Sequence, residues 1–394
     1  MRILLLFAFV LLFPLAGTAE PRMWTRADGK TVSAEFVSRE GERVTLRLEN
    51  GRTFVVPLAQ LSEDDRSFIE KEAVHMGKTW PDKVPGPDNF RLKEERSRKK
   101  RGGGNASESV YVTNNFRFTS PVPLDEEACD AIGRLYEGTL CAVRAMPLPF
   151  PRADKRSRAA KDKLDAVLAR DMESYYALGG PEGSAGVFSY RMADKKGKIR
   201  EDDIRGDRTI VPFPSLGIDA QGKLSKGGIP DTHVLVHEIT HQLTCGVLSK
   251  STWANEGMSE YVGYTPYDGE FFDFSGAFRR IADAGARYSG RWNLPFSLER
   301  FFDFTQDEFY CRSGPTAKEH PHRNYTLAAM VLAFYFHLDG ERGIKAFDAF
   351  ARALPKDPAK AKKALLGGRK NFRELEADFV AAWADRGVEV NFAR

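Results

Sequence analysis

The sequence predicts an α+β fold, with a small β-rich module, a linker, and a larger domain whose strands come first and whose helices follow. Three observations carry this. Asn50-Gly51 sits between two alternating apolar runs, and that pair supplies the positive φ values a tight hairpin requires. Strand-like segments recur from Val110 to Phe213, and from Asp231 onward the apolar spacing is mostly helical. Segregating strands from helices in this way is the α+β pattern.

The 394 residues open with Met1-Arg2-Ile3, an apolar run to Leu15 and Ala16-Gly17-Thr18-Ala19. A basic start, a short apolar core and a small-residue exit predict a secretory signal peptide over residues 1–19, cut after Ala19. The alternative is an uncleaved anchor, but the run is short for a bilayer span. No later segment has the apolar length of a membrane helix, so the expectation is a secreted or periplasmic protein without a span after cleavage. The net charge of +4 is small and concentrated in one short run, which argues against nucleic-acid binding. Cys129, Cys141, Cys245 and Cys311 allow three full pairings. None has the CxxC spacing of a thiolate zinc site.

Residues 20–74 form the first module. Val32–Val37, Arg43–Leu48 and Thr53–Val56 read as strands, and Ser62-Glu63-Asp64-Asp65 opens a short helix with a capping signal. With Trp24, the Asp28-Gly29 turn, the Gly51 hairpin and the Pro57-Leu58 and Leu61-Ser62 ending, this segment resembles an SH3-like module. That module was first described as a homology domain of a yeast endocytic adaptor. The resemblance covers about fifty residues and implies a small β-barrel with a protein partner. Residues 75–108 read as a linker, with Pro81, Pro85 and Pro87, the basic run Arg96–Arg101 and three glycines. The basic run is a solvated tether or a contact for an acidic surface.

Residues 109–394 form the larger domain. Val110–Phe118 reads as one strand, Asp125–Leu140 as a helix and Lys161–Tyr176 as a further amphipathic stretch. Gly183–Tyr190 and Thr209–Phe213 read as strands.

The chemistry sits in "DTHVLVHEITHQL". His237 and His241 are four apart, hence neighbours on one helix face, and both imidazoles can reach one ion. Glu238 lies beside that ion's position and suits a general base acting on a water. The bland alternative is a buried helix whose histidines make internal hydrogen bonds. A catalytic zinc site needs a third protein ligand and one open position. "WANEGMSEYVGY" offers Glu256 and Glu260 one turn apart, one to bind zinc and one to orient a ligand histidine through its free ring N–H. Trp253, Met258, Tyr261 and Val262 argue that this segment is partly buried rather than a solvated face. His233 is eight residues from His241, about 12 Å along the axis, and so reads as structural or surface.

His237-Glu238-Ile239-Thr240-His241 followed by Asn255-Glu256-Gly257 and Glu260-Tyr261 resembles the gluzincins, the clan of thermolysin and aminopeptidase-N-like enzymes. The resemblance implies Zn2+ held by His237, His241 and Glu256, with Glu260 behind them and Glu238 as base. Fourteen residues separate His241 from Glu256, fewer than in the aminopeptidase pattern, so the connection must be shorter. A tyrosine heading a later helix steadies the oxyanion in that branch. Tyr325, before a small and apolar run, matches in outline. Tyr264 and Tyr310 are weaker candidates, and His322 could also serve. The segment Gly183–Ser189 is analogous to the edge strand along which clan members lay a peptide. The expected function is zinc-dependent peptide hydrolysis, with a peptide or protein as substrate. Its rival is a non-catalytic, zinc-containing scaffold that recruits partners through the N-terminal module.

Overall fold

A computed structural model describes residues 22–26, 28–40, 42–48, 50, 52–76, 80–99, 107–155, 162–189, 207–288, 292–317 and 319–393. The expected signal peptide over residues 1–19, Lys100 and Arg101 of the basic run and the three glycines after it lie outside these residues. The chain divides into two compact units, Met1–Lys78 and Thr79–Arg394.

The first unit is an antiparallel sheet of β1 (Arg22–Thr25), β2 (Thr31–Glu40), β3 (Arg43–Arg47) and β4 (Thr53–Pro57), ordered β1-β2-β3-β4. Helix α1 (Glu63–Met76) follows. Among the described residues no ladder closes β4 onto β1, so the sheet is a meander rather than a demonstrated barrel. Trp24, Ala34, Val44, Leu46, Leu58, Leu61 and Ile69 form its core. The Trp24 indole donates to Ala34 O at 2.8 Å, which satisfies the polar end of a buried ring. Asp65 ties the helix start to β1, accepting from Arg22 Nη2 at 2.8 Å and from Thr25 N at 2.6 Å.

The second unit starts earlier than residue 109. Strand β5 (Lys83–Pro85) pairs with β12 (Phe271–Asp273), and β6 (Lys93–Lys99) pairs with β7 (Ser107–Val112). About a third of the expected linker, residues 75–108, is therefore strand. The composition of Lys93–Lys99 hides this, because a polar edge strand lacks the apolar alternation that marks a half-buried one. The segment Val110–Phe118 is also two strands rather than one. β7 turns at Thr113–Asn115 into β8 (Phe116–Ser120). Buried Glu137 holds that turn, accepting from Thr113 Oγ1 at 2.6 Å, Asn115 N at 2.8 Å and Asn115 Nδ2 at 2.8 Å.

Helices α2 (Glu126–Ala145) and α3 (Pro151–Asp154) lead from β8 to β9 (Leu164–Ala169), which runs parallel to it. The amphipathic reading of Lys161–Tyr176 thus resolves into β9 and α4 (Met172–Ala177). A short apolar run such as Leu164–Ala169 does not separate strand from helix by periodicity. Then come β10 (Val187–Ser189), β11 (Arg208–Pro212) and α5 (Phe213–Leu216). The sheet order is β10-β11-β9-β8-β7-β6, which among the described residues leaves β10 on an edge.

The rest is mainly helical, as expected. It comprises α6 (Thr232–Thr244), α7 (Thr252–Tyr264), α8 (Phe274–Ala286), α9 (Leu298–Phe302), α10 (Gln306–Phe309), α11 (His322–Ala333), α12 (Gly340–Ala353), α13 (Pro358–Ala364) and α14 (Phe372–Ala384). β13 (Asn293–Leu294) and β14 (Asn391–Phe392) form a small parallel pair. A π-helical turn, Phe334–Leu338, extends α11. It carries His337, whose Nε2 lies 2.8 Å from the Tyr261 hydroxyl. The same hydroxyl accepts from the Trp80 indole at 2.9 Å, and Trp80 stacks on Phe336. Burial holds the His337 imidazole down at about 4. All four cysteines are unpaired. Among the described residues no helix is long and apolar enough to cross a membrane.

Candidate metal centre

Helix α6 begins where Asp231 Oδ1 accepts from His233 N at 2.9 Å. Its apolar side, Leu235, Val236, Ile239 and Leu243, is buried in the main core. That packing turns His237 and His241 inward, each less than a tenth exposed. Gln242 Nε2 donates to Asp165 O in β9 at 2.9 Å and fastens α6 to the sheet. Helix α7 packs against both α6 and α11. Glycine at 257 permits the second contact, since a Cβ there would meet Ala328 O at 3.0 Å. The glycine after Glu256 is thus a packing requirement that brings the carboxylate to the histidines.

His237 Nε2 and His241 Nε2 are 3.0 Å apart. Each lies 3.2 Å from Glu256 Oε2. These three residues are the only group of ligand-type side chains of this kind among the described residues. A tetrahedral zinc with bonds of about 2.0–2.1 Å separates its ligands by about 3.3 Å, so the triangle has the size zinc needs. Two imidazoles and one carboxylate are also a donor set that leaves a fourth position open. The residues present therefore fit the ion that the sequence led us to expect.

Glu260 stands behind His237. Its Oε1 is 2.9 Å from His237 Nδ1, and its Oε2 is 3.2 Å from His233 Nε2. With the Nδ1 proton given to Glu260, the Nε2 lone pair of His237 is directed at the centre. Sequence spacing excludes His233 as a ligand, and the structure agrees, placing it on the far oxygen of Glu260 instead. Gly263 makes room for its ring, and the Tyr264 ring sits 4.6 Å away, edge to face.

Electrostatics follow from burial and charge together. Burial pushes the Glu256 carboxyl up, but the positive ends of His241 and His237 outweigh it and hold it well below the carboxylate range. Glu260 behaves alike. Burial raises it, while its bonds to His233 and His237 bring it down to about 2. Burial opposes the charge on His237, and the carboxylates of Glu256 and Glu260 overcome this and raise it well above the usual value. Glu238 moves the other way. Desolvation raises its carboxyl, only partly offset by His237 and His241. A carboxylate with a raised pKa beside a metal position is suited to accept a proton and release it again.

Glu238 Oε2 accepts from Phe188 N on the edge strand β10 at 2.7 Å. A backbone N–H in β10 therefore aims the expected base.

Residues 15–76 match the family model of SHD1, SLA1 homology domain 1.

A comparison with curated proteins returns no match. The matched segment spans the four-stranded sheet and α1, and it includes none of the residues of the metal centre.

Of the four side chains considered for steadying an oxyanion, the structure brings two to the centre. The Tyr325 ring lies 6.1 Å from that of His237. Tyr310, 6.2 Å from the Tyr325 ring, donates from its hydroxyl to Glu256 Oε1 at 2.8 Å. Burial, with Glu256 nearby, pushes both phenols far up, so both remain protonated donors. Tyr264 packs on His233, and burial pushes it up to about 12. His322 is exposed, its ring 6.5 Å from that of Tyr325.

Proposed function

We propose that the chain is an exported zinc-dependent metallopeptidase of the gluzincin type. The observation that carries this is the triangle of His237 Nε2, His241 Nε2 and Glu256 Oε2 with the carboxyl of Glu238 beside it. A purely structural zinc site closes all four positions with protein ligands and has no use for a base.

A zinc bound there would lower the pKa of a water and polarise the scissile carbonyl. Glu238, held by Phe188 N, takes the water's proton as oxygen adds to the carbonyl carbon. The Tyr325 hydroxyl donates to the carbonyl oxygen as negative charge develops on it. Glu238 then passes its proton to the leaving amine as the C–N bond breaks. Strand β10, beside Glu238 and last in the described sheet order, is the strand along which this proposal lays an extended peptide.

The N-terminal unit, read as an SH3-like small barrel, serves in this proposal to hold a protein partner. The match to SLA1 homology domain 1 supports that role. It also favours a second reading, in which the chain is a zinc-containing scaffold without turnover. The deciding experiment is cleavage of a peptide library by the zinc-loaded protein, with and without chelator. Chelator-sensitive cleavage that disappears in Glu238→Gln supports the enzyme. No cleavage by zinc-loaded wild type supports the scaffold.

A further inference from the structure

We propose that Tyr310 is a positioning residue that keeps Glu256 a one-oxygen ligand and so preserves the open coordination position. The inference rests on the zinc reading above and goes beyond the ligand set. A carboxylate has two oxygens, and binding through both would occupy the position that water and substrate require. In this structure the two oxygens of Glu256 have different partners. Oε2 faces both imidazoles at 3.2 Å, and Oε1 accepts the Tyr310 hydroxyl at 2.8 Å. A protonated phenol serves this purpose because it donates one hydrogen bond and carries no charge.

The chain around Tyr310 is built to hold it there. Tyr310 follows the four-residue helix α10, which opens with a capping box between Thr305 and Glu308. The next residue, Cys311, has a φ of 57°, the one positive value at a non-glycine residue among those described. Such a conformation persists only when its surroundings impose it. Here Arg312 N donates to Asp307 O at 2.7 Å, and Asn324 Nδ2 donates to Phe309 O at 2.8 Å and lies 3.4 Å from Cys311 Sγ. Asn324 is buried on α11 and immediately precedes Tyr325. One helix thus braces the turn carrying Tyr310 and also presents Tyr325. Two tyrosines at the centre then have separate tasks, one on the ligand and one on the substrate.

The test is the coordination number of cobalt substituted for zinc, read from visible absorption. Four-coordinate cobalt absorbs strongly, and higher coordination absorbs weakly. Tyr310→Phe keeps the ring and removes the hydroxyl. The expected result is a weaker, shifted cobalt spectrum and a loss of zinc affinity of about tenfold or more. In Tyr310→Gly, added phenol should restore the wild-type spectrum and toluene should not. Wild-type protein that takes up no cobalt overturns the metal reading, and this inference with it. Wild type and Tyr310→Phe that both bind cobalt with the same spectrum overturn the role of Tyr310 alone. Equal rescue by toluene also overturns it, since bulk rather than the hydroxyl would then be what matters.

Discussion

His237 Nδ1 lies 2.9 Å from Oε1 of Glu260. With zinc bound, that nitrogen would keep its proton, and the other ring nitrogen of His237 would turn a lone pair toward His241 and Glu256. In the proposed centre Glu260 would thus fix a tautomer without being a ligand itself. This separates the expected effects of two substitutions. His241→Ala should abolish stoichiometric zinc after dialysis. Glu260→Ala should retain zinc with an affinity lowered about 10- to 100-fold. Metal analysis of both variants checks this, and full zinc retention by His241→Ala would remove the ligand assignment.

Glu238→Gln preserves size and helix propensity but cannot accept a proton. Zinc content and melting should stay near wild type, because Glu238 is not part of the ligand triangle. Peptide cleavage should fall by about 100-fold or more, the scale of a positioned general base. Undiminished cleavage by a zinc-loaded Glu238→Gln would take this residue out of the mechanism.

Zinc affinity should fall as pH falls. The pKa of His237 in the metal-free protein is raised well above 6.5, so the folded chain holds that proton at neutral pH and zinc must displace it. Below the raised value, affinity should drop by about tenfold per pH unit. The sign for stability is the reverse. A raised histidine stabilises the metal-free fold fully below its unfolded pKa, and that contribution is lost as pH rises through the folded value. Glu260, brought down to about 2, stabilises above its unfolded pKa and loses that contribution as pH falls toward 2. Calorimetry in buffers of different protonation enthalpy should show proton release on zinc binding near pH 7. Binding that is independent of pH from 6 to 8 would contradict the assignment.

Gly257→Ala should destabilise the protein, although alanine is the better helix former by about 1 kcal/mol. The new Cβ would sit 3.0 Å from Ala328 O, and overpacking of this kind costs about 1–3 kcal/mol. Zinc affinity should fall too, since Glu256 rides on the displaced helix. A denaturant midpoint equal to or above wild type would show that α7 and α11 are not pressed together at this point.

The His237–His241 pair was legible because its geometry is local, whereas the choice of Glu256 over Glu260 came from the resemblance. Two histidines one turn apart on one helix need no tertiary information to be placed together, and Glu256 and Glu260 share a second helix. The long apolar helices after Asp231 were legible for a similar reason. What the sequence concealed depends on contacts between distant segments. Tyr310 reaches Glu256 across 54 residues, and Phe188 N reaches Glu238 across 50. The second contact comes from the backbone, which no side-chain pattern reports. His233 looked idle because only its distance from the ion could be reckoned, and its bond to Glu260 needs the packing of α6 on α7. The all-polar β6 and the apolar β9 fail in opposite ways. One lacks the alternation of a half-buried strand, and the other, a short apolar run, does not separate strand from helix.

Trp80 donates its indole hydrogen to Tyr261, the residue next to Glu260 on the helix that carries Glu256. The larger unit thus has a fluorophore wired to the helix that carries Glu256, within two residues of its own start. Indole emission responds to hydrogen bonding at its nitrogen. Any event that reseats α7, whether an ion arriving or a peptide pressing on the opposite face, should therefore be visible as light from a residue that touches neither.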